Sequence, residues 1–305
     1  MAGKKLVNAF TRSMPSTRPR RKDRESRPRL GQNFLRDSAA AERIVSALGP
    51  LQEASVIEIG PGQGALTTLL ARRARRLITI ELDRVLAAQL RMAYARQGNV
   101  EIIEGEVLQV DFANLVSRRP VPLLNTGLQP LGASHERARV VGNLPYYITS
   151  PILLHLLQFH EWLEVIVVMV QREVADRIAA APGSRDYGLL SASVQLFCRV
   201  EKLFTLSPSS FSPAPKVHST VLRLVIAPQE LELGVASEPF IDFLKLAFAQ
   251  KRKTLMNNLK GRYQAAQIAG ALHSAKVSKV ARAEALTLQQ MADVYKTLYR
   301  QVTRP

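Results

Sequence analysis

Between Ser55 and Glu106 the chain alternates short apolar runs with helix-periodic segments, and few folds accommodate that alternation. Ser55 to Ile59 is an apolar strand that runs into Glu58-Ile59-Gly60-Pro61-Gly62-Gln63-Gly64, and a helix carrying Leu66, Leu69 and Leu70 follows. Leu77 to Ile80 is a second strand, ending in Glu81-Leu82-Asp83. A helix with Val85, Leu86 and Leu90 leads to a third strand, Val100 to Ile103, which ends near Glu106. This is the βαβαβ half of a doubly wound parallel sheet, so the fold class is α/β, Rossmann-like. The strand ends form one ligand edge.

The glycines of the first loop let the backbone pass close to a ligand. Their spacing is G-x-G-x-G, at Gly60, Gly62 and Gly64, and not the G-x-G-x-x-G of dinucleotide binders. Glu81 adds to the signal, since a carboxylate at the next strand end can accept both hydroxyls of a ribose. Together they fit a cofactor that contains adenosine.

A second loop narrows the chemistry. Val140 and Val141 end a short strand, Gly142 breaks it, and Asn143-Leu144-Pro145-Tyr146 leaves as a polar, rigid turn. An exocyclic amine on a nucleobase is a poor nucleophile because its lone pair is delocalised. The Asn143 oxygen and a nearby backbone carbonyl can accept its two N–H hydrogens and free that lone pair. Tyr146 can stack on the base. The plainer reading is an ordinary turn after a strand. Hydride transfer has no use for such acceptors, so this loop points to S-adenosylmethionine and not to a nicotinamide.

The net charge is +17, and its distribution matters more than its size. Residues 1–29 carry 10 Lys/Arg against 2 acids, and residues 240–305 carry 12 against 3. The stretch between holds 20 of each sign, so two basic ends flank a neutral body. A polyanion is the natural partner, with RNA or DNA first. Residues 1–29 are Arg-, Ser- and Pro-rich and read as a disordered arm. Cys198 is the sole cysteine, which excludes an intrachain disulfide and fits a reducing, cytoplasmic setting. The five histidines are scattered without metal-ligand spacing, so no metal is expected. No apolar run is long enough for a membrane span.

In the rest of the chain, Asp37 or Ser38 is expected to cap a helix with Ile44, Val45 and Leu48. Residues 117–139 read as a long Pro/Gly loop. Thr149 or Ser150 is expected to cap a helix with Pro151 at its first position. Residues 164–170 read as an apolar strand, 172–181 as a helix, and Val194 to Val200 as strand-like. Ser210-Phe211-Ser212-Pro213-Ala214-Pro215 is a stiff extended loop. Phe211 is either an exposed stacking aromatic or a buried residue closing the core. Val221 to Val225 is a final strand. From about 228 the pattern is helical, with Phe243, Leu244, Phe248 and Leu255 expected on one face and Lys251-Arg252-Lys253 on the other. Further helices are expected over 262–273 and 287–301.

Taken together, Gly31-Gln32-Asn33-Phe34-Leu35, Glu58 to Gly64, Ile80 to Asp83, Asn143 to Tyr146, Phe211 to Val217 with Ser219, and Arg282-Ala283-Glu284 resemble the KsgA-type ribosomal RNA adenine dimethyltransferases. The resemblance covers about residues 30 to 290. It implies an S-adenosylmethionine-dependent methyltransferase domain over 30–227 and a small helical RNA-binding domain over 228–305. The implied substrate is a pair of adjacent adenosines in the 3′-terminal hairpin of 16S RNA in the pre-30S particle, dimethylated at N6 by a monomer. The implied cofactor residues are Asn33, Leu35, Gly60, Glu81, Glu106 and Asn143. Asn143, Leu144, Pro145 and Tyr146 would hold the target adenine, with Phe211 stacked on its other face. Glu106 stands where the family has Asp, and Lys251 where it has Arg. The alternatives are the related Erm-type methyltransferases of large-subunit RNA, and a non-catalytic RNA-binding assembly or transcription factor on the same fold.

Overall fold

The structure is a computed structural model that describes residues 32–117 and 136–303. The arm expected over 1–29 and most of the loop expected over 117–139 lie outside the described residues. The described chain opens with β1 (Phe34–Leu35) and α1 (Ser38–Ser46). Then come β2 (Ser55–Ile59), α2 (Thr67–Arg73), β3 (Arg76–Glu81), α3 (Arg84–Ala93), β4 (Val100–Glu104) and α4 (Phe112–Ser117). β5 (Ala138–Asn143), α5 (Thr149–Leu157), β6 (Leu163–Gln171), α6 (Arg172–Ile178) and α7 (Leu189–Phe197) follow. The later strands are β7 (Cys198–Leu206), β8 (Phe211–Ser212) and β9 (Ser219–Ile226). Next are α8 (Glu230–Leu233), α9 (Ser237–Ala247), α10 (Leu255–Leu259), α11 (Ala265–Ser274) and α12 (Leu288–Thr303).

Two compact units result. Residues 32–117, 136–172 and 201–226 belong to one, and residues 173–200 and 227–303 to the other. The boundary expected at 227/228 lies one residue from the last point where the chain passes between units. The earlier passages follow Arg172 and Val200.

The first unit is organised by a sheet of order β4-β3-β2-β5-β6-β9-β7. The pairs from β4 to β6 are parallel, and β9 runs antiparallel to β6. Every residue of β2 and β3 is buried, as expected of parallel strands covered on both faces. Ile44 and Val45 of α1, Leu48 just beyond it and Leu70 of α2 share one buried cluster with Val56, Leu77, Val141 and Val167. Each such side chain contributes about 1.5–3 kcal/mol by leaving water. Asp37 is the residue that caps α1, accepting from the Ala40 N–H at 2.9 Å. After β2 the chain winds outward through β3 and β4, then returns to add β5 on the other side of β2. That reversal opens a crevice beyond the strand ends. Gly142 is required beside it, because a Cβ there would stand 2.6 Å from the Ile59 carbonyl oxygen.

The structure corrects several expectations. α5 starts at Thr149 with Ile148 before it, so Pro151 is the third helical residue. Proline is tolerated there because that amide has no partner within the helix. The run read as a strand from Val194 is helical through Phe197, and β7 begins at Cys198. The Ser191 hydroxyl accepts from the Gly188 N–H at the start of α7, and Gln195 donates to the carbonyls of Ile178 and Ala180. These contacts override the strand preference of the individual residues.

The second unit packs Phe240 and Phe243 of α9 around Tyr295 of α12, with ring centroids 5.4 and 5.5 Å from the tyrosine ring. α9 ends at Ala247, so Leu255 lies on α10 and not on a face shared with Phe243. Lys251, Arg252 and Lys253 are exposed in the turn between these helices.

Candidate active site

The loops after β2, β3, β4 and β5 meet at one edge of the first unit and surround a cavity. Its lining includes Asn33, Leu35, Gly60, Glu81, Glu106, Asn143, Leu144, Pro145 and Tyr146. Every residue picked from the sequence is thus gathered there, with the exception of Phe211.

The glycine loop needs its glycines. Gly60, Gly62 and Gly64 all have positive φ, and a Cβ on Gly62 would lie 2.8 Å from the Phe34 ring. Glu81 holds this loop from the next strand. Its Oε2 accepts from the Gly62 N–H at 3.0 Å and its Oε1 from the Asp83 N–H at 2.9 Å. Each oxygen keeps lone-pair capacity for a ligand hydroxyl. Glu106 is exposed and accepts from the Gln109 amide at 3.1 Å.

Asn143 ends β5. Its Nδ2 donates to the Asn33 carbonyl oxygen at 2.8 Å. A carbonyl can only accept, so this bond fixes which way the Asn143 amide points. The Oδ1 acceptor is therefore the atom left for a substrate amine. Leu144 is a packing residue, 1 % exposed, and its N–H is tied to the Met169 carbonyl at 3.1 Å. The Pro145 carbonyl accepts from both the Ile148 N–H and the Thr149 hydroxyl, which uses its two lone pairs within the turn. The Tyr146 hydroxyl lies 2.7 Å from the Oγ of buried Ser219, which pins the ring.

Phe211 is the correction. It is 4 % exposed, sits in the core cluster with Leu35, Ala40 and Leu206, and does not line the cavity. The cause is the antiparallel pairing of β1 with β8, where Leu35 faces Phe211 and Phe34 faces Ser212. Cross-strand partners point to the same side, so Phe211 joins Leu35 in the core cluster, and of the two only Leu35 also borders the cavity. Phe34, on the other side of β1, and Tyr147 also line the cavity.

Glu58 was not singled out by its sequence context. It is 1 % exposed, lines the cavity, and accepts from the Thr67 hydroxyl at 2.7 Å. Burial pushes its carboxyl up from 4.5 to about 8, opposed by the Thr67 hydrogen bond and reinforced by the Glu81 charge.

A family profile described as ribosomal RNA adenine dimethylase matches residues 23–300. A relative named ribosomal RNA small subunit methyltransferase A from Koribacter versatilis is 54% identical over 270 residues, covering 88% of this chain and 93% of its own. The protein of that name from Acidobacterium capsulatum is 54% identical over 273 residues, covering 89% and 91%. Among solved structures, a dimethyladenosine transferase from Plasmodium falciparum superposes with a TM-score of 0.67 at 24% identity, covering 88% of this chain and 98% of that one. The 23S rRNA methyltransferase ErmE superposes with a TM-score of 0.61 at 25% identity, covering 88% and 100%.

Proposed function

The chain belongs to the ribosomal RNA adenine dimethylase family, and from that premise we infer that it dimethylates N6 of two adjacent adenosines in the 3′-terminal hairpin of small-subunit ribosomal RNA, with S-adenosylmethionine as donor. Relatives at 54% identity carry the small-subunit name, whereas ErmE, which acts on 23S RNA, is 25% identical, so the small-subunit reading is preferred. The cavity suits the donor. Gly60 and Gly62 let the backbone approach, and three carboxyl groups with no Lys, Arg or His among the described lining residues complement a cation.

When bound, the cofactor supplies an electrophilic sulfonium methyl group. Asn33, Leu35, Gly60, Glu81 and Glu106 hold it, with Glu81 taking the ribose and steadying the glycine loop. Asn143 accepts one N6–H of the target adenine through Oδ1, and the loop backbone takes the other. Since the Pro145 carbonyl is already used, the second acceptor is another main-chain oxygen of that loop. Tyr146, braced by Ser219, stacks on the base, which must leave its own stack to reach the cavity. The protein contributes position and aimed acceptors, and no covalent intermediate is required.

The exposed Lys251-Arg252-Lys253 turn and the basic N-terminal arm supply phosphate contacts. No helix among the described residues is long and apolar enough to cross a membrane. On this reading the enzyme works in the cytoplasm on the assembling small subunit, as a monomer.

The observation that carries the mechanism is the fixed amide of Asn143. Asn143→Ala should slow single-turnover methyl transfer by about 10²–10³ and leave RNA affinity nearly unchanged. A near-wild-type single-turnover rate would refute the role given to Oδ1.

A further inference from the structure

This inference rests on the cavity being the place where the target adenine meets its methyl donor. The two adenosines of the substrate are covalent neighbours. While one occupies the cavity, the other is held within one nucleotide of its mouth. A base outside its stack exposes apolar faces, and an aromatic side chain is the surface that suits them. The aromatic residues among the described lining are Phe34, Tyr146 and Tyr147. Phe34 is half-buried with its ring over Gly62, and Tyr146 is half-buried and tied to Ser219. Tyr147 is 66 % exposed. Leu82, also exposed on the lining, follows Glu81 on the ribose side and has no ring to offer.

Tyr146 and Tyr147 are the two central residues of one tight turn. The Ile148 N–H donates to the Pro145 carbonyl oxygen at 3.1 Å and closes it, and the Thr149 hydroxyl donates to the same oxygen. Pro145 stiffens the entry, the Leu144 N–H is tied to the Met169 carbonyl, and α5 begins at Thr149. The backbone of Tyr147 is therefore as firmly set as that of Tyr146. Its side chain is not: the hydroxyl and ring have no hydrogen-bond or ring partner among the described residues. A lone exposed aromatic is ordinary on a protein surface. Here the exposure falls at the cavity mouth, on a braced turn, one residue from the side chain that takes the target base. Consecutive Cα atoms stand about 3.8 Å apart, a spacing that adjacent nucleotides can match.

We propose that Tyr147 is a second stacking platform, which takes the adenosine next to the one being methylated: Tyr146 receives the target base inside the cavity, and Tyr147 receives its neighbour at the mouth. The pairing makes Tyr147 a specificity-determining residue. A purine offers a larger face than a pyrimidine and stacks more strongly, so two adjacent adenosines are preferred to an isolated one. Leaving the hairpin stack costs free energy for each base, and the ring of Tyr147 offsets that cost for the second base. The neighbour then waits outside its own stack, one nucleotide from the cavity it enters next.

The test is single-turnover methylation of small ribosomal subunits that lack native adenine methylation, reconstituted with RNA that keeps both adenosines or has either one replaced by uridine. Wild type, Tyr147→Ala and Tyr147→Phe are compared at saturating S-adenosylmethionine. With both adenosines present, Tyr147→Ala should slow transfer about tenfold, the worth of one base–aromatic stack, and Tyr147→Phe should match wild type. Uridine beside the remaining adenosine should slow wild type about threefold or more, in whichever substrate sets it on Tyr147. The same uridine should cost Tyr147→Ala nothing further, because the two changes remove one contact. A wild-type rate in Tyr147→Ala, or a wild type indifferent to both uridines, would overturn the inference. Losses that multiply would overturn it too, and would move Tyr147 to the target base. Calorimetry should show unchanged S-adenosylmethionine binding by Tyr147→Ala, and lost binding would make Tyr147 a cofactor residue instead. Failure of wild type to methylate the intact small subunit would overturn the proposed function as well, whereas methylation that ignores Tyr147 or the neighbour overturns this inference alone.

Discussion

Glu58→Gln makes a prediction about stability that needs no ligand. The folded protein holds the Glu58 proton up to about pH 8, whereas an unfolded chain releases it near 4.5. Between those values the native state binds more protons than the unfolded state, so the stability contributed by Glu58 falls as pH rises through the window and is flat outside it. At about 1.36 kcal/mol per pH unit, the full loss is of order 3–5 kcal/mol, a large share of the ~5–15 kcal/mol that keeps a domain folded. Gln does not titrate, and groups that do not interact with Glu58 cancel in the comparison. The variant should therefore gain on wild type steadily from pH 5 to pH 8. Urea unfolding followed by the fluorescence of Trp162, the single tryptophan, which lies in the first unit, measures this directly. Parallel pH profiles for the two proteins would show that Glu58 is ionised in the fold, and the argument from its burial would fail.

Two further outcomes are expected. Phe211→Ala should destabilise the first unit by about 3–5 kcal/mol, as loss of a buried ring does, and Phe211→Trp should fail to restore it through overpacking. An unchanged melting temperature together with a large loss of methylation would return Phe211 to a stacking role. Deleting residues 1–29 should weaken RNA binding and flatten its salt dependence without moving the methylated position. An identical salt slope would show that the arm does not touch phosphate.

The sequence made the strand-end edge legible because its signals are local. The buried strands are nearly unbroken apolar runs, and the loop after β2 is full of glycine. Asn143 and Glu81 follow such strands directly, so their gathering at one edge comes from the winding alone. What escaped depends on distant partners. Phe211 looked presentable on its proline-stiffened loop, and only the pairing with Leu35 turns it inward. The amide of Asn143 is aimed by a carbonyl 110 residues away in sequence. Glu58 did leave a trace, a charged residue inside an apolar strand. Its meaning depends on Thr67 above it and on Glu81 from the neighbouring strand. α7 was misread because its apolar residues suit a strand until Gln195 finds the carbonyls at the end of α6 and just beyond it.

The most direct test of the enzymatic account is methyl transfer from labelled S-adenosylmethionine to small and large ribosomal subunits that lack native adenine methylation, with the product mapped to the nucleotide. The account predicts label confined to the small subunit, in two adjacent N6,N6-dimethyladenosines of the 3′-terminal hairpin. Label in large-subunit RNA, or modification of a single adenosine, would contradict it.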